Sequence, residues 1–192
     1  MRLILGSQSP RRRELMAGLE LPFECLTIDA DESYPAHLQG GDIPAYISQA
    51  KAKAYMDRLG EDEMLVTADT IVWLNGQVLG KPIDEEDAVR MLRMLSGQTH
   101  QVYTGVTFTY QGQMQTLTDR TDVVFRQLDE QEIRCYVSRY RPLDKAGAYG
   151  IQEWIGYVGA VRIEGSYFNV MGLPVERVYM HLRPYSLGWR TL

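Results

Sequence analysis

Met64-Leu65-Val66-Thr67-Ala68-Asp69-Thr70-Ile71-Val72-Trp73-Leu74 is almost entirely apolar and β-branched. Such a run predicts a central strand covered on both faces, because a half-exposed strand would alternate apolar with polar residues. One residue disagrees with its surroundings. An ionised carboxylate at Asp69 is costly inside an apolar strand unless it meets a partner or a metal ion. Either the strand bends here and Asp69 bonds a neighbouring backbone group, or the carboxylate faces a cleft as a general base or metal ligand.

Working outward, Asn75-Gly76 turns the chain into a short strand over Gln77 to Leu79. Asp84 caps the next helix, and its inner stripe is Ala88, Met91, Leu92 and Leu95, stopped by Ser96-Gly97. Two alternating runs, Gln101 to Tyr110 and Gln115 to Gln127, predict a long hairpin around Gln111-Gly112-Gln113. Asp129 with Glu132 forms a capping box for a helix reaching about Tyr140. A strand near Tyr157 to Glu164 and a last helix from Pro174 complete this half. On the N-terminal side, Leu3 to Leu5 is a short buried strand, and Ser9-Pro10 caps and opens a helix. Phe23 to Ile28 predicts a strand, residues 29–42 a polar loop, and Pro44 to Leu59 a helix. Interleaved helices and strands with an antiparallel hairpin give the α/β class: a central mixed β-sheet flanked by helices. No repeat or linker interrupts residues 1–192, so a single domain is expected.

Composition narrows the function. With 192 residues, 45% of them hydrophobic, the chain can bury a substantial core. A net charge of -5 argues against coating a nucleic-acid polymer, which needs a basic face, but leaves room for a small anionic ligand. Cys25 and Cys135 follow no metal-spaced pattern and are expected as free thiols. The apolar start is too short for a signal peptide and no segment approaches a bilayer span, so a cytoplasmic protein without membrane partners is expected.

The candidate chemistry lies in misplaced charges. Arg11, Arg12 and Arg13 occupy the first turn of a helix, where the free N–H groups already disfavour cations. Together with Ser7 and Ser9 in the preceding loop they suit an anion, although Arg13 alone reads as a surface residue. Lys51, Lys81 and Lys145 each adjoin small or turn residues. Singly, each is an ordinary solvated lysine; together with Arg12 they could neutralise a triphosphate. Glu32 is a loop acid that gains meaning only if its loop reaches Asp69, since paired carboxylates plus phosphate oxygens commonly hold Mg²⁺. His37, His100 and His181 form no zinc pattern, and the P-loop, GxGxxG and GxSxG motifs are absent.

Taken in order, these motifs resemble one family. Ser7-Gln8-Ser9-Pro10-Arg11-Arg12-x-Glu14-Leu15 is similar to the SxSPRRxEL opening of the Maf-type nucleotide pyrophosphatases. Asp31-Glu32, Ala50-Lys51-Ala52, Ala68-Asp69-Thr70-x-Val72, Gly80-Lys81-Pro82 and Met91-Leu92-x-x-Leu95-Ser96-Gly97 follow at matching places. Then come His100-x-Val102-x-Thr104-Gly105-Val106, Asp144 to Gln152 (DKAGAYGIQ), and Gly165-Ser166-Tyr167-x-Asn169-Val170-x-Gly172-Leu173-Pro174.

The resemblance implies an elongated, two-lobed Maf/ITPase-like architecture with a cleft, and frequently a homodimer. It also implies hydrolysis of small-molecule nucleoside triphosphates with a divalent cation, Mg²⁺ or Mn²⁺. Carried over by position, Asp69 matches the proton acceptor, and Ser7, Arg12, Glu32, Lys51 and Lys81 match the phosphate and metal cluster, Glu32 and Asp69 being the metal ligands. Arg11, Thr70 and Gln152 resemble the set of the subtype acting on dTTP and UTP, whereas the 7-methyl-GTP subtype tends to carry a glutamate at the last position. An amide offers a pyrimidine both donor and acceptor, while a carboxylate suits guanine's N–H edge. Gly6 departs from the commoner alanine and should loosen its loop slightly. Two rivals stay open: a non-hydrolysing nucleotide-binding regulator linked to cell division, and the same chemistry with a 7-methyl-GTP-type preference.

Overall fold

The computed structural model describes residues 1–186. The strands are β1 (Arg2–Gly6), β2 (Phe23–Leu26), β3 (Glu63–Leu74), β4 (Gln77–Leu79), β5 (Thr99–Tyr110), β6 (Gln113–Phe125) and β7 (Ala160–Glu164). They form one seven-stranded sheet in the order β2-β1-β3-β5-β6-β7, with β4 paired to β3. β1 runs parallel to β2 and β3, whereas β3–β4 and β6–β7 are antiparallel, so the sheet is mixed as expected. The helices are α1 (Pro10–Ala17), α2 (Asp42–Met56), α3 (Glu85–Leu95), α4 (Glu130–Tyr140), α5 (Trp154–Gly159), α6 (Tyr167–Met171) and α7 (Val175–Ser186). Among the described residues, no helix is long and apolar enough to cross a membrane.

The chain gathers into two compact units built from discontinuous segments. Of the described residues, unit 1 comprises 1–69, 104–119 and 172–186, and unit 2 comprises 70–103 and 120–171. β3, β5 and β6 each contribute residues to both.

In unit 1, β1 and the first half of β3 are buried, as the apolar run requires. α2 buries Ile43, Pro44, Ile47, Ser48 and Ala52. Gly105 allows the start of α2 to approach β5, because a Cβ there would lie 2.4 Å from the Pro44 carbonyl. Hydroxyls lock the same helix in place. The Ser48 and Thr107 hydroxyls bond at 2.8 Å, and the Thr67 hydroxyl donates to the Ser48 carbonyl at 2.7 Å. These three buried hydroxyls are tolerated because each finds a partner, and their geometry fixes helix against strand more narrowly than apolar contact does. Gly6 makes room for Ile28, whose Cδ1 would lie 2.5 Å from a Cβ at that position.

In unit 2, α3 and α4 pack Ala88, Leu92, Leu95, Ile133, Tyr136 and Val137 into a core with Val123 and Phe125. The Asp84 cap and the Asp129–Glu132 capping box both form as the sequence predicts. The hairpin turn between β5 and β6 lies in unit 1, on Gln111 and Gly112, both at positive φ, in the manner of tight two-residue loops. One expectation fails: Tyr157 to Gly159 belong to helix α5, and β7 begins only at Ala160. Gly156 explains the difference. A Cβ there would lie 1.8 Å from the Ile151 carbonyl oxygen, so the chain folds back on itself in a way only glycine permits.

Candidate active site

Unit 1 brings four of the expected residues together. β1 ends at Gly6, paired in register with Thr67 of β3. Ser7 therefore lies just past the carboxyl end of β1, and Asp69 just past the paired stretch of β3. The burial of β3 is interrupted at Asp69 and Thr70, both of intermediate exposure. In parallel α/β sheets, the carboxyl ends of strands are where loops and helix termini converge on ligands.

Asp69 has a partner, which resolves the cost of its position. Lys51 projects from α2, and its Nζ lies 2.8 Å from Asp69 Oδ1 and 2.8 Å from Glu32 Oε1. The Lys51 and Asp69 side chains retain 12% and 14% exposure, whereas Glu32 retains 53%. The pair is thus shielded while one carboxylate stays accessible from solvent. Lys51 is placed by helical spacing: it lies three and four residues beyond Ser48 and Ile47, on the buried face of α2.

Arg12 completes the group. Its Nε donates to the Gly172 carbonyl at 2.8 Å and its Nη1 to the Ala68 carbonyl at 3.0 Å. The guanidinium is thereby fixed beside the residue that precedes Asp69. Burial lowers its pKa; Asp69 opposes that shift, Arg11 adds to it and Glu32 opposes it. These charges sense one another as a cluster, and Arg11 lies within that field.

The loop before α1 is ordered by its own polar groups. Ser7 is buried, and its hydroxyl accepts from the Ser9 N–H at 3.2 Å. Ser9 caps α1 by accepting from the Arg12 N–H at 3.4 Å. Arg13 does more than the sequence suggested: its Nε and Nη2 both donate to the Ser7 carbonyl at 3.2 Å.

The remaining expected residues belong to unit 2. Thr70 follows Asp69 on β3 with intermediate exposure. Lys81 is exposed beside the buried Pro82, and the Gly80 carbonyl before it accepts from Gly147 N–H at 3.0 Å. Gln152 is partly exposed within a tight turn, where the Glu153 N–H donates to the Gly150 carbonyl at 3.0 Å. Lys145, singled out but left unassigned, is buried and paired with Asp144 Oδ1 at 2.7 Å and Glu153 Oε1 at 3.1 Å.

Among the described residues, no group of three or more His, Cys, Asp or Glu side chains is arranged to hold a metal ion. The carboxylates of Glu32 and Asp69 nevertheless flank one cation, the Lys51 ammonium, at equal distances. Magnesium sites commonly use one or two carboxylates completed by substrate phosphates and water, not an all-protein cage. The donor set fits an ion that arrives with a phosphate ligand.

The family profile described as Maf-like protein matches residues 2–185. The chain belongs to the Maf-like family. Within it, a protein of Bacteroides thetaiotaomicron named dTTP/UTP pyrophosphatase is 55% identical over 182 residues, covering 94% of each chain. Relatives bearing the same name are 51% identical in Phocaeicola vulgatus, over 95% of each chain, and 48% identical in Porphyromonas gingivalis, over 96% of this chain and 94% of the relative. Among solved structures, the Ham1 protein of Staphylococcus aureus overlays at a TM-score of 0.49 with 10% identity, covering 65% of this chain and 72% of the other. That overlay is too distant to inform the chemistry. The similarity extends over nearly the whole of this Maf-like chain and is not confined to one motif.

Proposed function

We propose that this chain hydrolyses dTTP and UTP to the monophosphate and pyrophosphate, in the cytoplasm, with a divalent cation held by Glu32 and Asp69. The names of its relatives support the reaction. The observation that carries the site is the Lys51 ammonium bridging Asp69 and Glu32 while the Arg12 guanidinium is bonded to the neighbouring Ala68 carbonyl. Carboxylates and cations held this closely can accept a proton and meet phosphate oxygens in one step.

In the proposed mechanism Asp69 accepts the proton of a water that attacks the α-phosphorus in line with the departing group. The bond from the α-phosphorus to its bridging oxygen breaks, and that oxygen leaves as part of pyrophosphate. Arg12, Lys51 and Lys81 stabilise the charge gathering on the phosphate oxygens, and Ser7 offers its hydroxyl to the same anion. When bound, Mg²⁺ or Mn²⁺ supplies Lewis-acid neutralisation of the phosphate oxygens. Arg11, Thr70 and Gln152 select the base, the amide of Gln152 offering a donor and an acceptor to a pyrimidine edge.

The test is pyrophosphate release from a panel of dTTP, UTP, GTP and 7-methyl-GTP with Mg²⁺. Turnover led by dTTP and UTP supports the reading. Turnover led by guanine nucleotides overturns the base assignment, and binding without pyrophosphate release overturns hydrolysis in favour of a nucleotide-sensing regulator.

A further inference from the structure

Unit 2 contains a second buried charged cluster that the mechanism above does not use. Tyr136, on α4, is fully buried, and its hydroxyl makes two bonds of opposite sense. It accepts from the Gly150 N–H at 3.0 Å and donates to the Glu153 carboxylate at Oε2. The other carboxylate oxygen, Oε1, lies 3.1 Å from the Nζ of buried Lys145. Gly150 and Glu153 are themselves the two ends of the turn closed by Glu153 N–H donating to the Gly150 carbonyl. Ile151 and Gln152 are its central residues. One phenol oxygen therefore grips both ends of the turn that presents Gln152.

The backbone at both glycines flanking this turn is closely packed. A Cβ on Gly150 would lie 2.8 Å from Glu153 Cδ, and one on Gly156 would lie 1.8 Å from the Ile151 carbonyl oxygen. Lys145 begins the segment that Gly147 ties to the Gly80 carbonyl, next to Lys81. Burial, and then the bond to Glu153, push the Tyr136 phenol well above the usual tyrosine range, so it keeps the proton it donates across the working pH range.

We propose that Tyr136, with Glu153 and Lys145, is a positioning device that fixes the Gln152 amide for base recognition, so that selectivity between pyrimidine and purine triphosphates depends on a phenol that itself touches no substrate. The inference rests on Gln152 being the residue that reads the base. A hydrogen-bonding amide discriminates only as well as it is held, since a displaced amide satisfies either edge through water.

The experiment compares kcat/KM for UTP and for GTP in the wild type, Tyr136→Phe, Gln152→Ala and the double variant. Tyr136→Phe keeps the ring packing and removes only the two bonds. The UTP-to-GTP ratio is expected to fall about tenfold in each single variant, and the double variant to fall no further than Gln152→Ala. A ratio moved by Gln152→Ala but not by Tyr136→Phe overturns the clasp. So does a Tyr136→Phe effect that is equal on both nucleotides, or that persists in full once Gln152 is alanine. A ratio unmoved by Gln152→Ala overturns instead the reading of Gln152 on which the clasp rests. Should circular dichroism show Tyr136→Phe unfolded at the assay temperature, Glu153→Gln replaces it under the same criteria, because the amide keeps the side chain's shape and loses the Lys145 ion pair.

Discussion

Lys51 Nζ lies 2.8 Å from Asp69 Oδ1, joining α2 to the carboxylate in the middle of a largely apolar strand. The same nitrogen lies 2.8 Å from Glu32, so removing it leaves two carboxylates facing each other. Lys51→Met should lower stability by about 2 kcal/mol, between the small cost of breaking a surface pair and the larger cost of breaking a buried one. Because the two carboxylates, with no Lys51 ammonium between them, then favour a dication, added Mg²⁺ should raise the urea midpoint of Lys51→Met more than that of the wild type. Equal Mg²⁺ responses in the two proteins would argue against a cation site at Glu32 and Asp69.

Arg12 bridges two backbone carbonyls, those of Ala68 and Gly172. Arg12→Lys keeps a positive charge but not the planar fork that spans both acceptors. Stability should fall by about 1 kcal/mol for the lost bond, and kcat/KM for UTP by about tenfold to a hundredfold as the cation leaves its fixed position. Thermal unfolding and steady-state kinetics on one preparation check both. Unchanged kinetics would remove Arg12 from the phosphate cluster.

His100 is fully buried against Phe125 and Tyr149. Its Nε2 shares a hydrogen bond of 2.8 Å with the Tyr149 hydroxyl. Burial lowers its pKa from 6.5 to about 4, so the folded protein holds it neutral where the unfolded chain would protonate it. The resulting stability is fully present above pH 6.5 and is lost as the pH falls towards about 4, by on the order of 3 kcal/mol. His100→Gln, which keeps a polar group for Tyr149, should flatten the urea midpoint across that window. A midpoint that falls with acid as steeply in the variant as in the wild type would place the titration elsewhere.

Attack on the α-phosphorus has an isotopic signature. Hydrolysis of UTP in ¹⁸O-water should put the label in UMP and none in pyrophosphate, as mass spectrometry of the products reads directly. Label in pyrophosphate would mean attack at the β-phosphorus, and the geometry ascribed to Asp69 would have to change.

Much of the fold was legible because its signals are local. The β-branched run of β3, the Asp84 cap and the Asp129–Glu132 box each announce themselves within a few residues. The misread segment, Tyr157 to Gly159, depends on Gly156 lying against the Ile151 carbonyl, a fit that composition does not reveal. α6, with five residues, is too short to show a period. In the site, Asp69 was conspicuous because it violates its strand. Lys51 was readable too, since it falls on the buried stripe of Pro44, Ile47, Ser48 and Ala52. Tyr136 was not. A buried tyrosine on an amphipathic helix looks like core, and only the fold shows that its hydroxyl meets Gly150 and Glu153.

The central claim is that Asp69, held by Lys51 beside Arg12, takes the proton from the attacking water. Asp69→Asn preserves the size of the side chain and a hydrogen-bonding oxygen while abolishing the base. Turnover of UTP at saturating Mg²⁺ should fall by on the order of 10²-fold or more, with nucleotide binding retained in the same preparation. Near-normal turnover in a folded Asp69→Asn protein would contradict the account.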